Sequence, residues 1–316
     1  FASIAAVEGI NYIWNKRLIP LSTQKLVDCD TGNRHCDGGY ATVAFQYIME
    51  NGITTDNNYP YEDKYGNFCQ NRKEKEMRFS VFKETAAHVT RFNSRRPGDD
   101  HDQTYTMELS QFADWTPSEF RRRRCAIPHH ELEQGNDYDE MIMTTEAENV
   151  TSSYGNMNHL LPKEVNWVKR GAVTSVKSYK FISPNYKNKP AVRIDGYYRV
   201  RRNNERALMI AVARQPVVAL IEASPDFRHY SKGVFAGECG TVQDHAVTIV
   251  GYGTTPCGIP YWLVKNSWGP QWGGEGGYIR MRPNVSDKRG LCGIAMEAYY
   301  PYNLKFGTTA FRKEGF

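Results

Sequence analysis

Residues 1–16 are apolar on almost every side of a helical projection, through Phe1, Ile4, Ala5, Ala6, Val7, Ile10, Ile13 and Trp14. A helix apolar all round is buried all round, so this segment is expected to be a central core helix. Ser22 is placed to open a short helix over 21–28. Gly32, Gly38 and Gly39 punctuate a loop from Cys29 to Tyr40, and a further helix is expected from Thr42 to Glu50, stopping at Asn51-Gly52. After an irregular, Tyr- and Pro-rich stretch over 57–69, residues 72–93 are charged and helical in period. Arg121 to Arg124 then form a basic run. From Glu131 to Leu160 there are seven acidic residues and no Lys or Arg, the composition of a flexible acidic linker. Beyond Leu161 the pattern turns to short apolar or alternating runs between turn signals. These are expected to be strands at 192–194, 217–221, 246–250, 261–265 and 278–281, with one helix, Ala207 to Arg214, among them. A helical part and a strand-rich part in one chain predict an α+β fold.

Composition narrows the function. With 40% apolar and 24% charged residues over 316 positions, the chain is globular in type. The net charge of +5 is small and evenly spread, which argues against nucleic acid as a partner. The longest clean apolar run, Ala207 to Ala213, falls far short of the ~20 residues that span a bilayer, so no membrane partner is expected. Seven cysteines leave at least one unpaired if the others form disulfides. Asn149-Val150-Thr151 and Asn284-Val285-Ser286 are glycosylation sequons, meaningful in a secreted chain. The sequence begins at Phe1 with no charged or apolar leader after it, so no signal peptide is visible.

Two motifs carry chemistry. Asp244-His245-Ala246-Val247 leads a histidine directly into an apolar strand, and Lys265-Asn266-Ser267-Trp268-Gly269 ends another, with Asn266 21 residues after His245 (266 − 245). If the two strands pair antiparallel, the Asn266 amide oxygen can accept a hydrogen bond from one ring nitrogen of His245. That bond fixes the tautomer and leaves the other nitrogen as acid or base. Trp268 is placed to cover the bond and exclude water. Singly, a histidine beside a strand is more often structural and Asn-Ser is usually a turn. The set is far harder to obtain by chance together with Gly251-Tyr252-Gly253 and Gln271-Trp272-Gly273-Gly274.

These motifs resemble those of the papain-like cysteine proteases, the plant members in particular. The resemblance extends to Leu26-Val27-Asp28-Cys29, His35-Cys36-Asp37-Gly38-Gly39-Tyr40, Asn58-Tyr59-Pro60-Tyr61, Gly290-Leu291-Cys292-Gly293 and Tyr299-Tyr300-Pro301. It implies a two-lobe fold, a helical lobe facing an antiparallel β-barrel-like lobe, and peptide-bond hydrolysis by a Cys-His-Asn mechanism. His245 and Asn266 would be the catalytic partners. Gly38, Gly39, Tyr40, Tyr61, Asp244 and Trp268 would bind substrate, with Phe227 and Ala246 near the specificity pocket. Cys29 would pair with Cys69, and Cys239 with Cys292. The partners implied are polypeptide substrates in the cleft, acting on a monomer. No metal or organic cofactor is implied, because the attacking group is a thiolate. The family's usual setting is the secretory route, in a vacuole, a lysosome or outside the cell.

Segment 74–120 is similar to the family's inhibitory propeptide. Glu74, Arg78, Phe82, Thr85, Val89 and Asn93 share one helical face, and Leu109, Phe112-Ala113-Asp114 and Glu119-Phe120 resemble its second motif. The order of segments departs from the family's. Residues 1–70 resemble the helical lobe, 71–130 the propeptide, 131–160 a linker, 161–177 the mature N-terminal strand and 178–316 the β lobe with its own histidine and asparagine. The strip that carries the nucleophilic Cys at a helix N-terminus and the oxyanion-donating Gln would lie between the two segments that here end at Lys177 and begin at Phe1. It is not among these residues, which leaves Cys36 without its partner and Cys125 and Cys257 without family counterparts. The sequence therefore predicts a precursor-like chain that is inactive as it stands, a fragment or faulty gene product, with a non-catalytic peptide-binding or protease-inhibiting protein as the alternative.

Overall fold

The computed structural model describes residues 1–33, 39–58, 72–95, 104–124, 161–176 and 190–303. The first helix, α1 (Ala2–Asn15), is buried from Ala2 to Asn11, as its all-round apolar pattern requires. It ends at Lys16, which turns left-handed with φ 53° and donates its N–H to Tyr12 O. Ser22 caps α2 (Thr23–Cys29) by accepting from Lys25 N at 3.0 Å. Helix α3 (Ala41–Asn51) stops at Gly52, where φ is 68°. Its Phe45 and Ile48 meet Ile4, Val7, Leu21 and Val218 in a first core.

The charged stretch forms α4 (Arg72–Asn93), followed by a three-residue strand β1 (Tyr105–Met107) and α5 (Pro117–Arg124). Then come β2 (Val165–Asn166), β3 (Gly196–Arg199), α6 (Glu205–Arg214), β4 (Val217–Ile221) and α7 (Pro225–Arg228). The remainder is β5 (Tyr230–Phe235), β6 (His245–Thr254), β7 (Pro260–Lys265), β8 (Tyr278–Met281), a 3₁₀ turn (Leu291–Gly293) and β9 (Ala298–Tyr302). One sheet orders them β1-β5-β8-β7-β6-β4-β9-β3, with β2 paired to β6. Only β5 and β8 run parallel; the other pairings are antiparallel. The fold is α+β, as the sequence predicts.

Several strands differ from their expected bounds. Residues 192–194 form no strand; Val192 makes a single antiparallel bridge to Ile53, and the strand begins at Gly196 instead. Strand β6 runs on from Val250 through Gly251-Tyr252-Gly253. Gly251 is needed there because a Cβ would sit 2.1 Å from Val165 O on the paired β2. The expected linker at 131–160 lies outside the described residues.

Cys239 and Cys292 form a disulfide that ties the loop after β5 to the 3₁₀ turn. Cys29 keeps a free, half-buried thiol at the end of α2, close to Tyr47 of α3, whose hydroxyl is raised to about 12 by burial and by Cys29 and Asp30. Cys69, its expected partner, lies outside the described residues.

Candidate active site

His245 is the first residue of β6, and Asn266 follows directly on the last residue of β7. The antiparallel register, Thr248 opposite Lys265, brings the two together. The Asn266 backbone N–H donates to Gly277 O at 3.0 Å, fixing the end of the strand. His245 Nε2 lies 2.9 Å from Asn266 Oδ1, and the Ser267 N–H reaches the same Oδ1 at 2.8 Å. A backbone N–H bonds only an acceptor, so it orients the amide with its oxygen toward the ring. The proton of the imidazole therefore sits on Nε2, and Nδ1 is left for acid–base work. Asn266 Nδ2 is buried with no hydrogen-bond partner among the described residues.

Trp268 stacks on the imidazole with ring centroids 4.6 Å apart and planes at 30°. Both rings are buried. Burial lowers the His245 pKa to about 4, the Asn266 bond opposes this, and the positive charge of the Phe1 amine lowers it further. The imidazole is thus neutral near pH 7. A neighbouring thiolate would supply the opposite charge that raises such a pKa. Among the described residues no cysteine is bonded to His245: Cys29 ends α2, Cys257 lies in an exposed turn, and Cys239 and Cys292 are bonded to each other.

The first turn of α1 faces Asn266 across a cavity of about 20 Å³ lined by Phe1, Ala2, Ala5, Ala246, Asn266 and Ser267, with Ala246 the neighbour of His245 in the chain. Below it runs a buried polar bridge. Thr174 Oγ1 donates to Glu8 Oε2 at 2.7 Å, and Lys265 Nζ donates to Thr174 O at 3.0 Å and Oγ1 at 3.1 Å. The other Glu8 oxygen accepts the Leu21 N–H at 2.8 Å. A buried carboxylate and ammonium are tolerable because every member is bonded. The bridge ties α1, the 161–176 segment and β7 together at the site. Nothing in the local sequence of Glu8 or Thr174 announces it, since its members are 91 and 166 residues apart.

Residues 72–95 and 104–120 dock beside the pair. Strand β1 extends the sheet at β5, Tyr105 opposite Gly233, and Phe112 and Phe120 pack edge-on to Trp268 at 4.8 and 5.4 Å. Gln111 Nε2 donates to Trp268 O at 3.4 Å. Arg78 of α4 pairs with Glu119 at 3.1 Å and Asp114 at 3.7 Å. Asn93 clasps Met107, donating to its carbonyl at 2.7 Å and accepting its N–H at 3.0 Å. Along α4, Arg78 and Val89 are buried, Phe82 stands 37% exposed, and Asn93 is exposed while its amide clasps Met107.

Of the residues expected to bind substrate, Trp268 adjoins the pair. Asp244 turns its carboxylate to the backbone, accepting from Ala223 N at 2.8 Å, and so holds the turn after β4. Gly39 and Tyr40 precede α3, where the Tyr40 N–H donates to Asn33 Oδ1 at 2.7 Å. Phe227 is fully buried against Trp268 and Trp272, while Ala246 borders the cavity under α1. Gly38, Tyr61, Cys36 and Cys125 lie outside the described residues. No cluster of metal-ligating side chains occurs among the described residues, and no helix there is long and apolar enough to cross a membrane.

The histidine is thus oriented by an asparagine and roofed by an indole. The model of the papain family of cysteine proteases matches residues 1–106 and 147–302. The chain belongs to that family. It is 36% identical over 303 residues to a thiol protease of Hemerocallis, covering 95% of this chain and 52% of that protein. It is 38% identical over 306 residues to vignain of Ricinus communis, covering 72% of this chain and 80% of that one. The chain thus spans about half the length of the Hemerocallis relative. Among solved structures, a recombinant stem bromelain precursor superposes with a TM-score of 0.56 and 29% identity, over 76% of this chain and 96% of that one.

Proposed function

We propose that this chain is a precursor-like member of the family whose substrates are polypeptides. It carries the histidine and asparagine of the active site without the attacking thiol, and holds its own inhibitory segment against the site. The observation that carries this reading is the His245–Asn266 bond at 2.9 Å set against the first turn of α1, where the described cysteines are otherwise accounted for. A base with no thiol beside it has nothing to activate for acyl transfer. For these 316 residues taken by themselves, which include neither the family's nucleophile strip nor its oxyanion-donating Gln, the covalent route and its charge stabilisation would be absent together.

The test is hydrolysis of a fluorogenic peptide by the 316-residue chain as it stands. No turnover above a His245→Ala control is expected. Turnover that disappears in His245→Ala would show that another cysteine, such as Cys36, serves as the nucleophile.

A second reading, a non-catalytic protease inhibitor, is favoured by one feature. Segment 72–120 is held by sheet pairing and aromatic contacts of a kind that a related protease surface could also offer. Adding the full chain to a papain-type protease measures this. A rise in inhibition on releasing the segment with Phe112→Ala is the expected sign of it, and no inhibition by either form counts against it.

A further inference from the structure

The sequon Asn284-Val285-Ser286 lies in the loop between β8 and the 3₁₀ turn, and both Asn284 and Ser286 are exposed. Asn284 takes the left-handed conformation with φ 55°, a strain that asparagine tolerates better than most residues. Its backbone is pinned: the N–H donates to Glu205 Oε2 at 2.7 Å, and the other Glu205 oxygen accepts Trp262 Nε1 at 2.9 Å. Its side-chain amide makes no hydrogen bond among the described residues. The backbone is therefore held by the fold while the amide points at water. Residue 285 is valine and residue 287 aspartate, so no proline blocks the triplet.

The disulfide between Cys239 and Cys292, eight residues beyond Asn284 (292 − 284), requires an oxidising compartment to form and persist. That is the compartment in which sequons are modified.

We propose that Asn284 is an N-linked glycosylation site of this chain. Its Nδ2 attacks C1 of an oligosaccharide carried on a lipid pyrophosphate. The bond from C1 to the pyrophosphate oxygen breaks, the lipid pyrophosphate leaves, and the Nδ2 proton is lost to the transferase. The sheet register keeps the glycan clear of the site. Tyr278 lies opposite Lys265, next to Asn266, whereas Met281 lies opposite Trp262. Three residues of strand, about 10 Å, separate those two rows, and Asn284 is three residues further on. A bulky, hydrated group there is rooted beyond the end of β8 that lies away from Asn266.

The experiment is translation of the full chain behind a cleavable signal peptide in the presence of microsomes, with protease protection to select translocated chains. Sugar transfer precedes folding in this assay, so misfolding of a variant does not confound it. A mobility shift removed by peptide-N-glycosidase is expected. Asn284→Gln and Ser286→Ala should each lose one step of that shift, and Ser286→Thr should keep it. Peptide mapping after enzymatic release in heavy-oxygen water should place the label at residue 284. Translocated wild-type chains without modification at 284, or a shift lost entirely with Asn149→Gln, would overturn the proposal.

Discussion

Glu297 is 1% exposed and gathers three partners. Arg199 lies at 2.5 Å, Arg202 joins it, and the Tyr299 hydroxyl donates at 2.6 Å. Removing one member of a buried ionic cluster costs ~3–5 kcal/mol when all are buried. Here both arginines keep some water, so Glu297→Ala is expected to cost roughly 2–3 kcal/mol, read as a lower urea midpoint with an unchanged slope. His245 and His229 give a second residue-scale expectation. Burial holds each near 4, below the ordinary 6.5; at His229 the charges of Arg228 and His88 add to burial, while Asp226 and the Glu108 backbone oppose it. A folded pKa below the unfolded one means that the unfolded chain binds more protons between those values. The stabilisation is complete above about pH 6.5 and is lost as pH falls toward 4. Urea midpoints that fall between pH 6.5 and 4, and fall less in His229→Asn, are expected; a flat profile in that window would contradict it. At this scale the sequence was legible where a residue sits in a motif, as His245, Asn266 and Trp268 do. It was silent where partners meet only in space, as Glu8, Thr174 and Lys265 do.

Among the elements, helices were the more legible because their signals are local. Ser22 announces α2, Asn51-Gly52 ends α3, and α4 spans the expected 72–93. Strands β5 and β1 were not foreseen, since Ser231, Lys232 and Gly233 break any apolar run in β5 and β1 is only three residues long. Their pairing depends on Gly233, whose φ is 96° and whose added Cβ would lie 2.2 Å from Thr104 O. Gly233→Ala is expected to detach β1 and speed exchange of the Val234 amide, which donates to Thr104 O at 2.7 Å. The β6 amides opposite β4 should stay protected. Phe112, 1% exposed between Trp115, Phe120 and Trp268, anchors the same segment. Its replacement by alanine removes a contribution of ~3–5 kcal/mol. It should open 104–120 to limited proteolysis before the rest of the chain.

At the scale of the whole molecule, elements far apart in sequence meet in one core. Helix α1, first in sequence, packs on β4, β6 and β9, and Thr248 Oγ1 donates to Ala2 O at 3.2 Å across 246 residues. Such long-range closure carries no local sequence signal, which is why the motifs predicted the parts better than their assembly. On the reading proposed, the first turn of α1 stands ready for a thiol that His245 can activate. It is tested most directly by extending the chain before Phe1 with Gln-Gly-Pro-Cys-Gly-Ser-Cys-Trp-Ala and following alkylation by a thiol-reactive epoxide as a function of pH. If the claim holds, the cysteine before Trp-Ala reacts well below the ordinary thiol pKa of about 8.5, and His245→Ala abolishes the advantage. Reaction of that cysteine with the pH dependence of a free thiol, unchanged by His245→Ala, would contradict it.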